Sequence, residues 1–231
     1  ATAQNLVPIP LKMQTTGEKA LVWYNVGQID CPESLANEKE HLMRILKERA
    51  GINALNTNGT AKITLAIDST LEDDEAYTLQ LNENGVIING KTAAGVFYGL
   101  MTMEQLMIDE QASARCIETA AINIEDTPRT HVRELMVDPC RIFIPYERLK
   151  ELVPEMARYK LNSMHLHLVD DQAWRIEIKK YPLLIEKSTS RVGMDDMQIP
   201  ISGYYTQEQM KDFVQYCAKY HVMVVPEIEM P

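Results

Sequence analysis

Apolar positions along the chain fall into short runs whose period switches between two and about 3.6. Leu21 to Val26 is an apolar run suited to a strand. Pro32-Glu33-Ser34 then opens a helix in which Leu35, Leu42, Ile45 and Leu46 share a face, and Gly51 closes it. Lys62 to Asp68 (KITLAID) alternates with period two, and so does Tyr77 to Leu81. The Asn-Glu-Asn-Gly of 82–85 turns that second strand into Val86, Ile87 and Ile88, a hairpin. Val96, Leu100, Met103 and Met107 follow helical spacing, and Cys116 to Ile124 (CIETAAINI) reads as a final strand. The predicted product is a small α+β layer, one sheet with two helices against one face. Its charged positions read as solvated faces without a catalytic constellation. Gly95-Val96-Phe97-Tyr98-Gly99 lies inside the helical pattern, where glycines permit close helix–sheet packing.

Asp126-Thr127-Pro128-Arg129 is a turn-forming cluster, and the rhythm changes after it, placing domains at 1–127 and 128–231. His131 to Asp138 (HVRELMVD) is a strand ending in an acid. Pro145 suits a first helical turn, Leu149, Leu152, Val153 and Met156 mark one face, and Pro154 implies a kink or a late start. Ser163 to Val169 (SMHLHLV) is a second strand. Thr206 with Gln209 forms a capping box, and Met210, Phe213, Val214 and Cys217 make the buried stripe of the next helix. Val222 to Ile228 (VMVVPEI) is continuous and apolar, as a parallel core strand should be. Strand–helix–strand repeats of this kind predict a parallel (β/α) barrel or an open α/β sheet, with functional groups at the carboxyl ends of the strands.

Composition narrows the function classes. With 45% hydrophobic and 24% charged residues in 231, the chain is an ordinary globular one. A net charge of −10 leaves no basic footprint for nucleic acid, and no stretch is apolar enough for a membrane span. The four cysteines, Cys31, Cys116, Cys140 and Cys217, are scattered and read as small, mostly buried thiols. No GxSxG, GxGxxG or Walker loop occurs.

Acids stand where the barrel reading wants them: Asp138 after the first strand, Asp170 and Asp171 after the second, Glu227 and Glu229 at the end of the third. Adjacent acids raise each other's pKa, and near a strand end Asp170 or Asp171 is placed to bond a polyhydroxylated ligand or to orient a histidine. The alternative for either is a helix cap or turn. His165 and His167 share one strand face. A metal site there would need more His or Cys than His41, His131 and His221 supply, so they read as interior histidines bonded to carboxylates, and no metal or other cofactor is assigned. Arg141 can fork onto vicinal hydroxyls or a carboxylate, or else form an ion pair with Asp138 or an acid of the second strand. Glu227 and Glu229 point to one side and read as lining residues rather than a catalytic pair. Arg158, Lys179 and Lys180 read as solvent charges.

The runs IEDTPR (124–129), RELMVDPCR (133–141), MARYKLNSMHLHLVDDQAWRIEIKKYPLL (156–184) and GYYTQEQMKDFVQYCAKYHVMVVPEIEMP (203–231) resemble glycoside hydrolase family 20, the β-N-acetylhexosaminidases. NLVPIP (5–10) and AAGVFYGLMTMEQLM (93–107) resemble that family's amino-terminal α+β domain. The resemblance implies a sandwich-like α+β domain followed by an incomplete (β/α)8 TIM barrel, about its first three strands. It implies removal of terminal β-linked N-acetylglucosamine or N-acetylgalactosamine, with the sugar's acetamido oxygen as nucleophile. Arg141 is implied as the sugar-hydroxyl ligand, and Asp170 or Asp171, His167 and Glu229 as relay or supporting residues. The acetamido-orienting Asp and the acid Glu are expected beyond Pro231, so no catalytic residue is assigned here and the stretch as written is expected not to hydrolyse glycosides. Glu134, Leu166, Ala173 and Glu229 stand where the family usually has Gly, an aromatic, Gly and Asp. The implied partner is a glycan ending in N-acetylhexosamine, the implied setting a secreted, periplasmic or cell-surface bacterial protein. The third strand's open edge invites self-association. Two other readings stay in view: a non-catalytic glycan-binding remnant, and a metal-dependent barrel hydrolase using His165 and His167.

Overall fold

The structure is a computed structural model and describes residues 6–108, 115–192 and 200–230. It divides into two compact units: residues 1–131 with 158–160, and residues 132–157 with 161–231.

In the first unit the strands are β1 (Lys12–Thr15), β2 (Leu21–Val22), β3 (Val26–Asp30), β4 (Ala61–Ile67), β5 (Tyr77–Asn82), β6 (Gly85–Gly90), β7 (Glu118–Thr119) and β8 (Ile122–Asp126). Helix α1 (Ala36–Ile45) follows β3 and α2 (Ala93–Leu106) follows β6. Six strands form one mixed sheet in the order β1-β8-β5-β6-β4-β3. The predicted hairpin is β5–β6, closed by Asn82 opposite Gly85. Alternation buries Ile63, Leu65, Leu79, Leu81, Val86 and Ile88, and α2 packs on this sheet with α1 against α2. Helix α1 begins with a 3-10 turn at Glu33–Leu35, ends in a π turn at Leu46–Ala50, and stops at Gly51, whose φ of 73° is the left-handed cap.

Four readings need correction here. The run 21–26 is not one strand: β2 gives way to a 3-10 turn at Trp23–Asn25, and β3 starts at Val26. Strands β1 and β3 escape notice because they are sheet edges with little buried surface and hence no clear alternation. The run 116–124 is also broken, because β7 pairs with β2 while β8 pairs with β1 and β5. Nor are all charges solvated. Glu104 on α2 is buried, with Arg44 at 3.2 Å and Arg49 at 2.8 Å, and Arg158 lies half-buried 3.8 Å from it. A buried carboxylate is tolerable only with such partners.

In the second unit, β9 (Glu134–Val137), α3 (Tyr146–Arg158), β10 (Ser163–Asp170), β11 (Ala173–Trp174), α4 (Leu183–Ser188), β12 (Ser190–Val192), β13 (Pro200–Ser202), α5 (Gln207–Lys219) and β14 (Met223–Ile228) follow in order. Strands β9 and β14 flank β10, both parallel to it, while β11 folds back antiparallel on its end. The first strand is thus shorter than His131–Asp138. Helix α3 starts early and continues through Pro154, so the late start is excluded. The capping box at Thr206 and Gln209 is present. Met164, Leu166 and Leu168 of β10 are fully buried against α3 and α5 in one core with Leu149, Val153, Phe213 and Cys217. All four cysteines are free, Cys140 and Cys217 buried and Cys31 and Cys116 half-buried.

A candidate active site at the carboxyl ends of the second sheet

Strand alternation that sends Met164, Leu166 and Leu168 into the core leaves Ser163, His165 and His167 on the opposite, polar face. The parallel register sets His167 beside Glu227, and an irregularity follows between His167 and Val169. Such a bulge re-aims the strand end.

Glu227 is the hub of this face. Its Oε2 accepts from His165 Nε2 at 2.6 Å and from His167 Nδ1 at 2.7 Å. The other nitrogen of His165 lies 3.5 Å from Glu134, whose second oxygen accepts from Ser163 at 2.7 Å. His167 Nε2 is 2.8 Å from Asp170 Oδ2. Both nitrogens of His167 therefore face carboxylates, an arrangement satisfied only by the doubly protonated ring. Burial disfavours that charge, but the hydrogen bonds to Glu227 and Asp170 outweigh it and raise the His167 pKa above its ordinary value. The same bonds hold the Asp170 and Glu227 carboxyls low, through His167 first in each case. Glu229, hydrogen-bonded to Glu227, is pushed up by that neighbouring carboxylate.

Asp170 also receives Arg141 Nη2 at 2.5 Å, while Arg141 Nη1 sits 2.9 Å from Asp138. The Arg141 side chain stays 47% exposed even though Asp138 and Asp170 hold its guanidinium. Its backbone is fixed as well. Asp138 Oδ1 accepts from the N–H groups of Cys140 and Arg141, and Cys140 Sγ donates to the Ala173 carbonyl at 3.1 Å. Fully buried Arg175 completes the clamp. Its guanidinium donates to the carbonyls of Pro139, Cys140, Thr189 and Gly203.

The fold thus brings Arg141, Asp170, His167 and Glu227 into one connected line, with Glu229 beside it. Asp171 is exposed and contributes its backbone N–H to Asp170. The ion pairs of Arg141 with Asp138 and Asp170 realise the ion-pair reading of that residue, on a side chain that stays about half exposed. Asp138 was legible in the sequence as the acid that ends the first strand, whereas the buried role of Arg175 was not. His167, Glu227 and Glu229 offer ligand atoms within 4.8 Å of one another, a spacing that could hold a cation. Both His167 nitrogens are committed to carboxylates, however, and a cation would have to break one of those bonds.

Residues 131–231 match the catalytic domain of glycosyl hydrolase family 20, and residues 3–127 match domain 2 of that family. A β-hexosaminidase of Porphyromonas gingivalis is 35% identical over 98% of this chain and 30% of its own length. One from Akkermansia muciniphila is 41% identical over 70% of the chain and 32% of its length. Among solved structures, a GH20 exo-β-N-acetylglucosaminidase from Vibrio harveyi in complex with N-acetylglucosamine aligns over all of this chain and 37% of its own, with TM-score 0.87 and 26% identity. The GH20 β-N-acetylhexosaminidase of Streptomyces coelicolor A3(2) aligns over all of this chain and 47% of its own, with TM-score 0.85 and 29% identity. The chain thus spans about a third of the curated relatives it matches. Two domains of one family that together match nearly the whole chain, on a fold shared with its solved members, mean that the chain belongs to glycosyl hydrolase family 20.

Proposed function

We propose that this chain is part of an exported bacterial β-N-acetylhexosaminidase that removes terminal β-linked N-acetylglucosamine or N-acetylgalactosamine by substrate-assisted retention. Residues 1–127 form its accessory domain and 128–231 the start of its catalytic barrel. Arg141 binds hydroxyls of the terminal sugar. Asp170, rather than Asp171, is the relay member, supported by His167, Glu227 and Glu229. The acid and the acetamido-orienting acid belong to a segment with no counterpart in these 231 residues, so hydrolysis requires a polypeptide that carries them.

The observation that carries this reading is the Arg141 guanidinium, clamped by Asp138 and Asp170 yet nearly half exposed. Hydrogen bonds to a charged group contribute about 1.5–3 kcal/mol, so Arg141→Ala should weaken N-acetylglucosamine binding by roughly tenfold or more. Calorimetric titration of the 231-residue chain reads this directly. Equal affinity in the variant would remove Arg141 from the site, and normal turnover of a chromogenic glycoside by this stretch alone would refute the assignment of the acids elsewhere. The outer edge of β14, unpaired among the described residues, should accept a further strand, from more polypeptide or from a second copy. Light scattering distinguishes the two.

A further inference from the structure

The first unit carries a cleft of about 580 Å³, within the roughly 300–1,000 Å³ range of small-ligand pockets. Its walls are the turn at Trp23–Asn25, the segment 50–57 and residues 115–117. Backbone bonds stitch them together. Trp23 N–H donates to Ile117, Cys116 N–H to Arg49 and Asn56 N–H to Val26, and the Asn56 amide donates to the Tyr24 carbonyl. The cleft is therefore preformed rather than a gap between loose loops.

Its surface chemistry is selective. Tyr24 is 73% exposed and Ile117 74% exposed, while Trp23 is buried with its indole N–H on Thr119. An aromatic side chain held this far into water, on a backbone bonded from both sides, offers a flat stacking platform. Asn53, Thr57 and Arg115 also line the cleft, and their side chains make no hydrogen bond among the described residues. Among the described residues no carboxylate lines it, although the chain carries 33 acids. A different cleft of this unit is lined by Glu72, Asp73, Glu125 and Asp126.

Each feature removes a ligand class. A cation needs carboxylates, a polyphosphate needs more than one arginine, and a lipid chain needs a lining without amides, hydroxyls or guanidinium. A pyranose ring fits: its apolar C–H face stacks on Tyr24, and its hydroxyls meet the amide, hydroxyl and guanidinium. We propose that this cleft is a second carbohydrate site, which holds a pyranose unit of an oligosaccharide independently of Arg141.

The test is titration of the isotope-labelled 231-residue chain with triacetylchitotriose and, separately, with cellotriose, followed by backbone amide shifts. At least one sugar should shift residues 23–26 and 50–57 along a saturable curve. Tyr24→Ala, which truncates an exposed ring and should leave the thermal midpoint unchanged, should weaken that curve tenfold or more, and Tyr24→Phe should restore it. Asn53→Ala should weaken it severalfold. Arg141→Ala should leave these shifts intact, so failure of the proposed active site and failure of this cleft are separately visible. Silence of these amides with both sugars at millimolar concentration, or a curve unchanged by Tyr24→Ala, would overturn the proposal.

Discussion

Arg175 commits every edge of its guanidinium to backbone carbonyls, and two of its donors go to Cys140, the residue before Arg141. Its planar fork is suited to this in a way that an ammonium is not. Arg175→Met should orphan buried carbonyls at about 1–3 kcal/mol each, for a total loss on the order of 3 kcal/mol or more. Arg175→Lys should recover only part of it. Urea midpoints followed at Trp174 measure both, and a Met variant as stable as the parent would refute the clamp. In the sequence Arg175 is merely the last residue of Asp-Asp-Gln-Ala-Trp-Arg. Its acceptors come from positions 139, 140, 189 and 203, so no local pattern could announce its role. Arg141, by contrast, was legible, because a turn acid and an arginine three residues apart reach each other in most local geometries.

Helix α2 shows how far an element's own pattern carries. The Gly95–Gly99 spacing already suggested a close approach, and a Cβ at Gly95 would lie 2.4 Å from the Ala76 carbonyl oxygen. Helix propensity favours Ala over Gly by about 1 kcal/mol. The backbone clash opposes that gain, and overpacking costs typically 1–3 kcal/mol. Gly95→Ala should therefore destabilise on balance, and a denaturant titration that finds it stabilising would show that α2 can lift off the sheet. The capping box of α5 and the β5–β6 hairpin were equally legible, because their partners lie within a few residues. Strands β1 and β3 were not, since an edge strand shows alternation only where a neighbour buries it.

Across the whole molecule, each unit carries its own pH limit. In the first, burial alone would raise Glu104, but hydrogen bonds and charge from Arg44 and then Arg49 win and hold its carboxyl low. A lowered carboxyl stabilises above its unfolded value of about 4.3, and that contribution is lost as pH falls through the folded value. In the second unit, His167 is raised, so its contribution is full below about 6.5 and disappears as pH rises through its higher folded value. Trp23 and Trp174 report the two units separately when each is kept as the only tryptophan. Unfolding midpoints should fall toward acid for both signals, in the second unit through the lowered Asp170 and Glu227 carboxyls, and from neutral upward for the Trp174 signal alone. Loss of the alkaline fall in His167→Gln, with the acid fall of the Trp23 signal intact, would assign it.

Period, caps and turns are short-range, and from them the sheet-and-helix layering, the change of rhythm near residue 128 and the line of acids at strand ends could be read directly. The line His165–Glu227–His167–Asp170–Arg141 could not. It depends on β14 lying in register beside β10 across about sixty residues of intervening chain, and on a bulge that turns Asp170 rather than Asp171 toward His167. Glu104 and Arg175 were opaque for the same reason. Whether a charge is buried, and what compensates it, is a property of surfaces brought together from distant positions, and a linear pattern carries no record of them.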